Sequence, residues 1–226
     1  MIEKLPSTGA PACDTDDMLV VHGVFRQAFA AMPGLIGGVA DGDRERSAIV
    51  ADYVREILDG LHRHHTSEDE YLWDTLAGKA PACAAHVDQM RVQHAEVGRM
   101  IEALVPEIDA WRATASPEGR ATVLSGIEAI TGALFVHLSD EETMILPVAA
   151  SAMTQREWDV LGERARAEIP RSRMLVSLGY ILNSLPEGDR EKWMKEMLPG
   201  PARLAWKVVG RRQFEAEYRK VFQRQP

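Results

Sequence analysis

The 226-residue sequence predicts an all-α fold, an up-down four-helix bundle with an additional helical C-terminal extension. Three observations point there. Apolar residues recur at steps of three and four through four long segments. Alternating runs rich in Val, Ile and Thr are absent, and proline is sparse through the middle of the chain.

The elements follow in order. The first sixteen residues are polar or turn-forming and read as a loose lead-in. Asp16 or Asp17 suits the cap of a first helix running to about Met32, with Pro33-Gly34 and Gly37-Gly38 marking its end. A second helix spans about Arg44 to Leu76, with Gly78 after it. Pro81 opens a third that reaches about Trp111, and Pro106 inside it predicts a kink or break. Ser116 as cap and Pro117 at the first helical position start a fourth, ending near Pro147. From about Thr154 further helices are broken at Pro170, Pro186 and Pro199-Gly200-Pro201. Met174, Leu175, Leu178, Ile181, Leu182 and Leu185 form an apolar face, so this tail is expected to fold against something. The organisation is a flexible N-terminus (1–16), a bundle (17–150) and a basic helical extension (151–226).

Charge divides the chain in the same way. The net charge is −8, but residues 1–150 carry 24 acids and 11 Lys/Arg, whereas residues 151–226 carry 10 acids and 15 Lys/Arg. All seven histidines lie in the acidic part. Cys13 and Cys83 have no metal-like spacing and suggest a reducing compartment. No apolar leader follows Met1, and no run reads as long and apolar enough to span a membrane, so a cytoplasmic location without a membrane partner is expected. No Ser/His/Asp nucleophile set, phosphate-cradling glycine loop or zinc-type cysteine pair appears.

Each predicted long helix carries a histidine inside its apolar stripe. The stripes are Met18-His22-Phe25-Phe29-Met32, then Val50-Val54-Ile57-Leu61-His64-Glu68-Leu72, then Val87-Met90-His94-Val97-Ile101-Leu104, then Val123-Ile127-Ile130-Leu134-His137-Glu141. Two stripes also carry a glutamate four residues after the histidine, hence on the same face. Inward carboxylates are costly without compensation, and neutral imidazoles compensate poorly; a pair of divalent or trivalent cations does so well. Imidazole and carboxylate without thiolate suit iron, manganese or zinc, and open positions favour a redox di-iron centre. The candidate metal ligands are therefore His22, His64, Glu68, His94, His137 and Glu141. His65 with Asp69 is an alternative register to His64 with Glu68, and Glu142 competes with Glu141. His62 and His86 read as surface residues, and Asp69, Glu70 and Asp140 as a solvated face or as groups orienting the imidazoles.

These residues resemble the hemerythrin-like (HHE) cation-binding family. The matching pattern is a helix-one histidine, His-x-x-x-Glu, a helix-three histidine and a second His-x-x-x-Glu, over about residues 17–150, with Tyr71-Leu72-Trp73 and Ile145-Leu146-Pro147 after the two glutamates. The resemblance implies an antiparallel four-helix bundle around an oxo- or hydroxo-bridged pair of iron ions (Fe2+/Fe3+), with manganese or zinc able to substitute. Glu68 and Glu141 would bridge, His22 and His64 would bind one iron, and His94 and His137 the other. Oxygen carriers of the family have a fifth histidine one turn from the helix-three ligand; here those turns offer Met90 and Gly98. This argues against simple oxygen carriage and leaves one iron open to a small oxidant: dioxygen, hydrogen peroxide or nitric oxide.

The expected function is therefore that of a non-haem di-iron protein binding or reducing such an oxidant, and so a candidate oxidoreductase. The alternatives are an oxygenase or oxidase acting on an organic substrate, with Trp158, Trp193 and Trp206 as pocket wall or as core anchors, and a metal- or oxidant-responsive regulatory module. The basic tail, with Arg203, Lys207, Arg211 and Arg212, lacks the interleaved aromatics of a nucleic-acid surface, so no nucleic-acid partner is expected.

Overall fold

A computed structural model describes residues 12–226. The described residues are helical, with no strand among them. Four long helices come first: α1 (Asp16–Gly37), α2 (Arg44–Lys79), α3 (Ala84–Thr114) and α4 (Pro117–Asp140). A wider π turn, Glu141–Ile145, continues α4 into α5 (Leu146–Ala152). The extension holds α6 (Gln155–Ala167), α7 (Met174–Ser184), α8 (Glu187–Met197), α9 (Gly200–Ala205) and α10 (Arg211–Phe222).

Local chemistry accounts for most boundaries. The Asp43 carboxylate accepts from the Arg46 amide and starts α2. Ser116 Oγ accepts from the Gly119 amide, with Pro117 at the first position of α4, as expected. Thr154 and Glu157 form a reciprocal capping box on α6. α1 differs from expectation at its start, and it ends at the later of the two expected signals, Gly37-Gly38. Thr15 occupies its cap position without a side-chain bond, while the Asp14 carboxylate accepts from the Asp16 amide. The helix also passes the expected stop at Pro33-Gly34 and runs to Gly37. The gain is burial of Ile36, which outweighs the one backbone bond that a proline removes. α3 likewise runs through Pro106 unbroken. The π turn lies just before Pro147, whose ring crowds the carbonyl four residues back, that of Thr143.

Residues 1–11 of the expected flexible N-terminus lie outside the described residues. The remainder is not loose: the amides of Ala12 and Cys13 donate to the Ala150 carbonyl, and Cys13 is buried. Its thiol donates to the Ala149 carbonyl, and its small side chain packs in an apolar cluster with Met18 and Trp158.

α1 packs on α2 and α4, and α3 packs on the same two helices. One apolar cluster draws on all four, from Phe29 and Met32 through Val54 and Leu58 to Ile108 and Ile127. A second, around Trp73, Leu76, Met90, Ile145 and Trp158, closes the other end. The buried histidines and glutamates lie between these clusters in sequence along each helix. By length and composition, Asp16–Gly37 and Pro117–Ala152 are long and apolar enough to cross a membrane, which corrects the reading that no run is. Their apolar residues line the shared core, as those of core helices do.

The extension is folded against the long helices. α6 packs on α2, α7 on α1, and α10 on α7 and α2. Arg173 donates to both oxygens of Glu56, and Arg46 caps the carbonyls of Lys220 and Val221. Trp158 and Trp206 are buried, and Trp193 packs against the tail cluster, so all three anchor cores. The apolar face expected on α7 is present at Leu178 and Leu182, but Met174 at its start is exposed. Gly179 permits a close approach: a Cβ there would overlap the ring of Phe214. Gly179→Ala is therefore expected to destabilise the chain by about 1–3 kcal/mol through overpacking, measured by urea denaturation; unchanged stability would show that α7 and α10 are not pressed together.

Candidate metal centre

Five imidazoles and two carboxylates meet in the interior. His22 on α1, His64, His65 and Glu68 on α2, His94 on α3, and His137 with Glu141 at the end of α4 all point inward. Their donor atoms fall into two groups, His22, His64, Glu68 and Glu141 in one and His65, His94 and His137 in the other, with donors in each within 4.8 Å of one another. Glu68 and Glu141 are fully buried. Each touches both groups. Glu68 lies 3.3 Å from His64 Nε2 and 3.5 Å from His94 Nε2; Glu141 lies 3.3 Å from His22 Nε2 and 3.6 Å from His137 Nε2.

The acid after each glutamate does a different job. Asp69 accepts from His94 Nδ1 at 2.8 Å and from Trp73 Nε1 at 2.7 Å. Glu142 accepts from His22 Nδ1 at 2.8 Å and is clamped by both terminal nitrogens of Arg26. Gln93 gives its amide N–H to Asp140, so its oxygen faces His137 Nδ1 at 3.2 Å. A carboxylate or amide oxygen on Nδ1 requires the proton there, which leaves Nε2 as a lone pair in the neutral ring. His94 Nε2 and His137 Nε2 then face each other 3.2 Å apart as two lone pairs. A metal ion between them, or a single shared proton, satisfies that arrangement.

Electrostatics of the bare side chains agree. Burial, with the neighbouring imidazoles, pushes His64 and His65 far below the ordinary histidine range. Burial likewise lowers His137 to about 4. Burial and the charge of Glu141 push Glu68 up. For Glu141 burial acts upward too, but the nearby imidazoles, His22 at 3.3 Å first among them, outweigh it and hold the carboxyl low. Burial acts against charge on His22, yet the adjacent carboxylates of Glu141 and Glu142, the latter hydrogen-bonded to it, raise its pKa. Glu142, despite partial burial, is lowered to about 2 by His22 and Arg26.

Several buried atoms find no partner: Nε2 of His22, His64 and His65, and both oxygens of Glu68 and of Glu141. Orphaned donors and acceptors in a core are expensive, and these converge. Oxygen and imidazole nitrogen without thiolate is a donor set for a divalent or trivalent metal.

A family model for the hemerythrin HHE cation binding domain matches residues 13–149. The chain belongs to this family. No curated protein and no solved structure matches it.

In this hemerythrin-type domain, His22, His64, Glu68, His94, His137 and Glu141 from the sequence stripes are all brought together. Two alternatives are resolved by direction. Glu141 points in and Glu142 outward to Arg26. Asp69 does not pair with His65 but holds His94. His62 and His86 are exposed, as expected. His65 is what the stripe reading missed: it is buried beside His94 in addition to His64, not instead of it. Its signal was the His64-His65 doublet on a helix with a neighbour on each side.

If Glu142 orients His22 for metal, Glu142→Gln should weaken cation binding by about 10- to 100-fold while far-ultraviolet circular dichroism stays unchanged. Titration against a competing chelator measures this; wild-type affinity in the variant would remove Glu142 from the site's support.

Proposed function

We propose that the chain holds two iron ions within an antiparallel hemerythrin-type four-helix bundle and binds or reduces a small oxidant there, whether dioxygen, hydrogen peroxide or nitric oxide. Glu68 and Glu141 would serve both ions in this reading. His22 and His64 would hold one ion, His94 and His137 the other. A single observation carries it: two fully buried carboxylates, with no hydrogen-bond donor to any of their four oxygens, each lie against an imidazole from both groups. One cation cannot meet both groups as well as two can.

Iron in such a site supplies electrons and a position for a small ligand. The chain's own residues do the rest. Asp69, Glu142 and Gln93 hold protons on Nδ1 and keep Nε2 free for metal. Arg26 balances the charge of Glu142 where the carboxylate is partly buried. Leu61, Leu72 and Leu134, all buried, exclude bulk water above and below the donors. A surface cavity of about 240 Å3, lined by His62, His65, Arg91, His94, Gly98 and Arg99 among others, lies beside the second imidazole group. Both cysteines are free and buried, which suits the reducing, cytoplasmic setting of this reading.

Anaerobic reconstitution with ferrous iron is expected to give two irons per chain. Adding oxygen or peroxide should then produce ligand-to-iron charge-transfer absorption together with consumption of the oxidant. Bound metal should stabilise the fold by about 2.7 kcal/mol at a free concentration one hundred times Kd, seen as a higher melting temperature. Only trace iron after reconstitution would rule the proposal out.

A further inference from the structure

The C-terminal extension exposes apolar side chains that its own packing does not use. Of the eight large apolar residues exposed among the described residues, five lie between Met174 and Val209. Trp206, Gly210, Phe214 and Tyr218 mark the inward line from the end of α9 through α10. The residues between them face out: Lys207, Val208 and Val209, then Arg211 and Arg212. A π turn, Trp206–Gly210, fits an extra residue into that outward arc. Leu204, about one turn before Val208, joins them. Leu204 is 64% exposed, Val208 60% and Val209 44%, so these side chains stand out from the surface and do not line a groove. Single exposed apolar residues are ordinary, but a cluster on one side of a helix marks a surface of contact.

We propose that this face docks on the surface of an anionic lipid bilayer. Leu204, Val208 and Val209 enter the headgroup layer, and the basic residues beside them lie among the phosphates. Charge complementarity decides the partner. Residues 197–214 hold four basic residues, Arg203, Lys207, Arg211 and Arg212, and no acid. Two acids border the face, and each already has a cation: Glu191 pairs with Lys195 at 3.0 Å and Glu215 with Arg211 at 2.7 Å. Lys207 and Arg212 form no ion pair among the described residues. Protruding apolar side chains flanked by Lys and Arg are what a helix lying in a lipid interface presents. The bundle orients the contact. Residues 1–150 carry 24 acids and 11 Lys/Arg, so like charge holds that part of the chain away from the same surface. Docking of this kind is peripheral and needs no spanning helix. It adds a lipid surface where no membrane partner was expected, and it stands whether or not the metal centre holds iron.

Sedimentation of the full chain with lipid vesicles tests this. The protein should co-sediment with phosphatidylcholine vesicles that contain phosphatidylserine and stay in solution with phosphatidylcholine alone. Lys207→Glu combined with Arg212→Glu should weaken binding by at least about tenfold, since each basic residue at such a surface is worth about fivefold. Leu204→Ser combined with Val208→Ser should weaken it by about tenfold as well. All four side chains are exposed, so far-ultraviolet circular dichroism should match the wild type in both variants. Added salt tests the unaltered chain: binding should fall as the charges are screened. Failure to co-sediment with either vesicle, equal binding to both, or binding unchanged by both double substitutions would overturn the proposal. A dimer in analytical ultracentrifugation that Leu204→Ser with Val208→Ser splits, without vesicle binding, would give the face to a second copy of the chain and overturn it too.

Discussion

Two carboxylates shut away from water govern this molecule. Glu68 and Glu141 have no solvent contact and no hydrogen-bond donor on any oxygen. Moving such groups from water into a core costs several kcal/mol each unless they are paired or neutralised. The bare side chains find a poor compromise, with Glu68 driven toward its neutral form and Glu141 leaning on His22. Metal cations between the helices would remove the conflict. They would satisfy the carboxylates, relieve the facing lone pairs of His94 and His137, and employ the unpaired nitrogens of His22, His64 and His65.

The rest of the fold serves that constraint. Apolar residues continue each helix beyond the polar level in both directions, so the donors are held between dry layers. The outer acids hold imidazole orientation from the far side of the ring: Asp69 receives both His94 and the buried Trp73, and Glu142 both His22 and Arg26. These bonds fix tautomers before any metal arrives, which lowers the ordering cost of binding. The extension adds support at a distance, through Arg173 on Glu56 and Arg46 on the last turn of α10.

Much of this was legible in the residues. A histidine on the apolar stripe of each long helix, with glutamates one turn later on two of them, was enough to foresee the convergence of six donors. The cap at Ser116-Pro117 was legible because its chemistry is local. Pro33 misled as a stop, and α3 is not broken at Pro106, since a proline's local cost is weighed against burial of a whole helical face, which a local signal does not carry. His65 was missed for a related reason. Periodicity assigns one face to a helix, but α2 has a neighbour on each side, so residues 100° apart both find the interior. The π turn after Glu141 left no sequence signal beyond Pro147, and the tight seat of α7 on α10 at Gly179 depended on which helices meet.

The central claim is that cations, two to a chain, reconcile Glu68 with Glu141. Anomalous diffraction from crystals grown with iron tests it most directly. The account predicts two separate peaks, each bounded by both glutamates, one beside His22 and His64 and the other beside His94 and His137. A single peak, or glutamates bonded to ordered water and to each other with no metal between them, would contradict it.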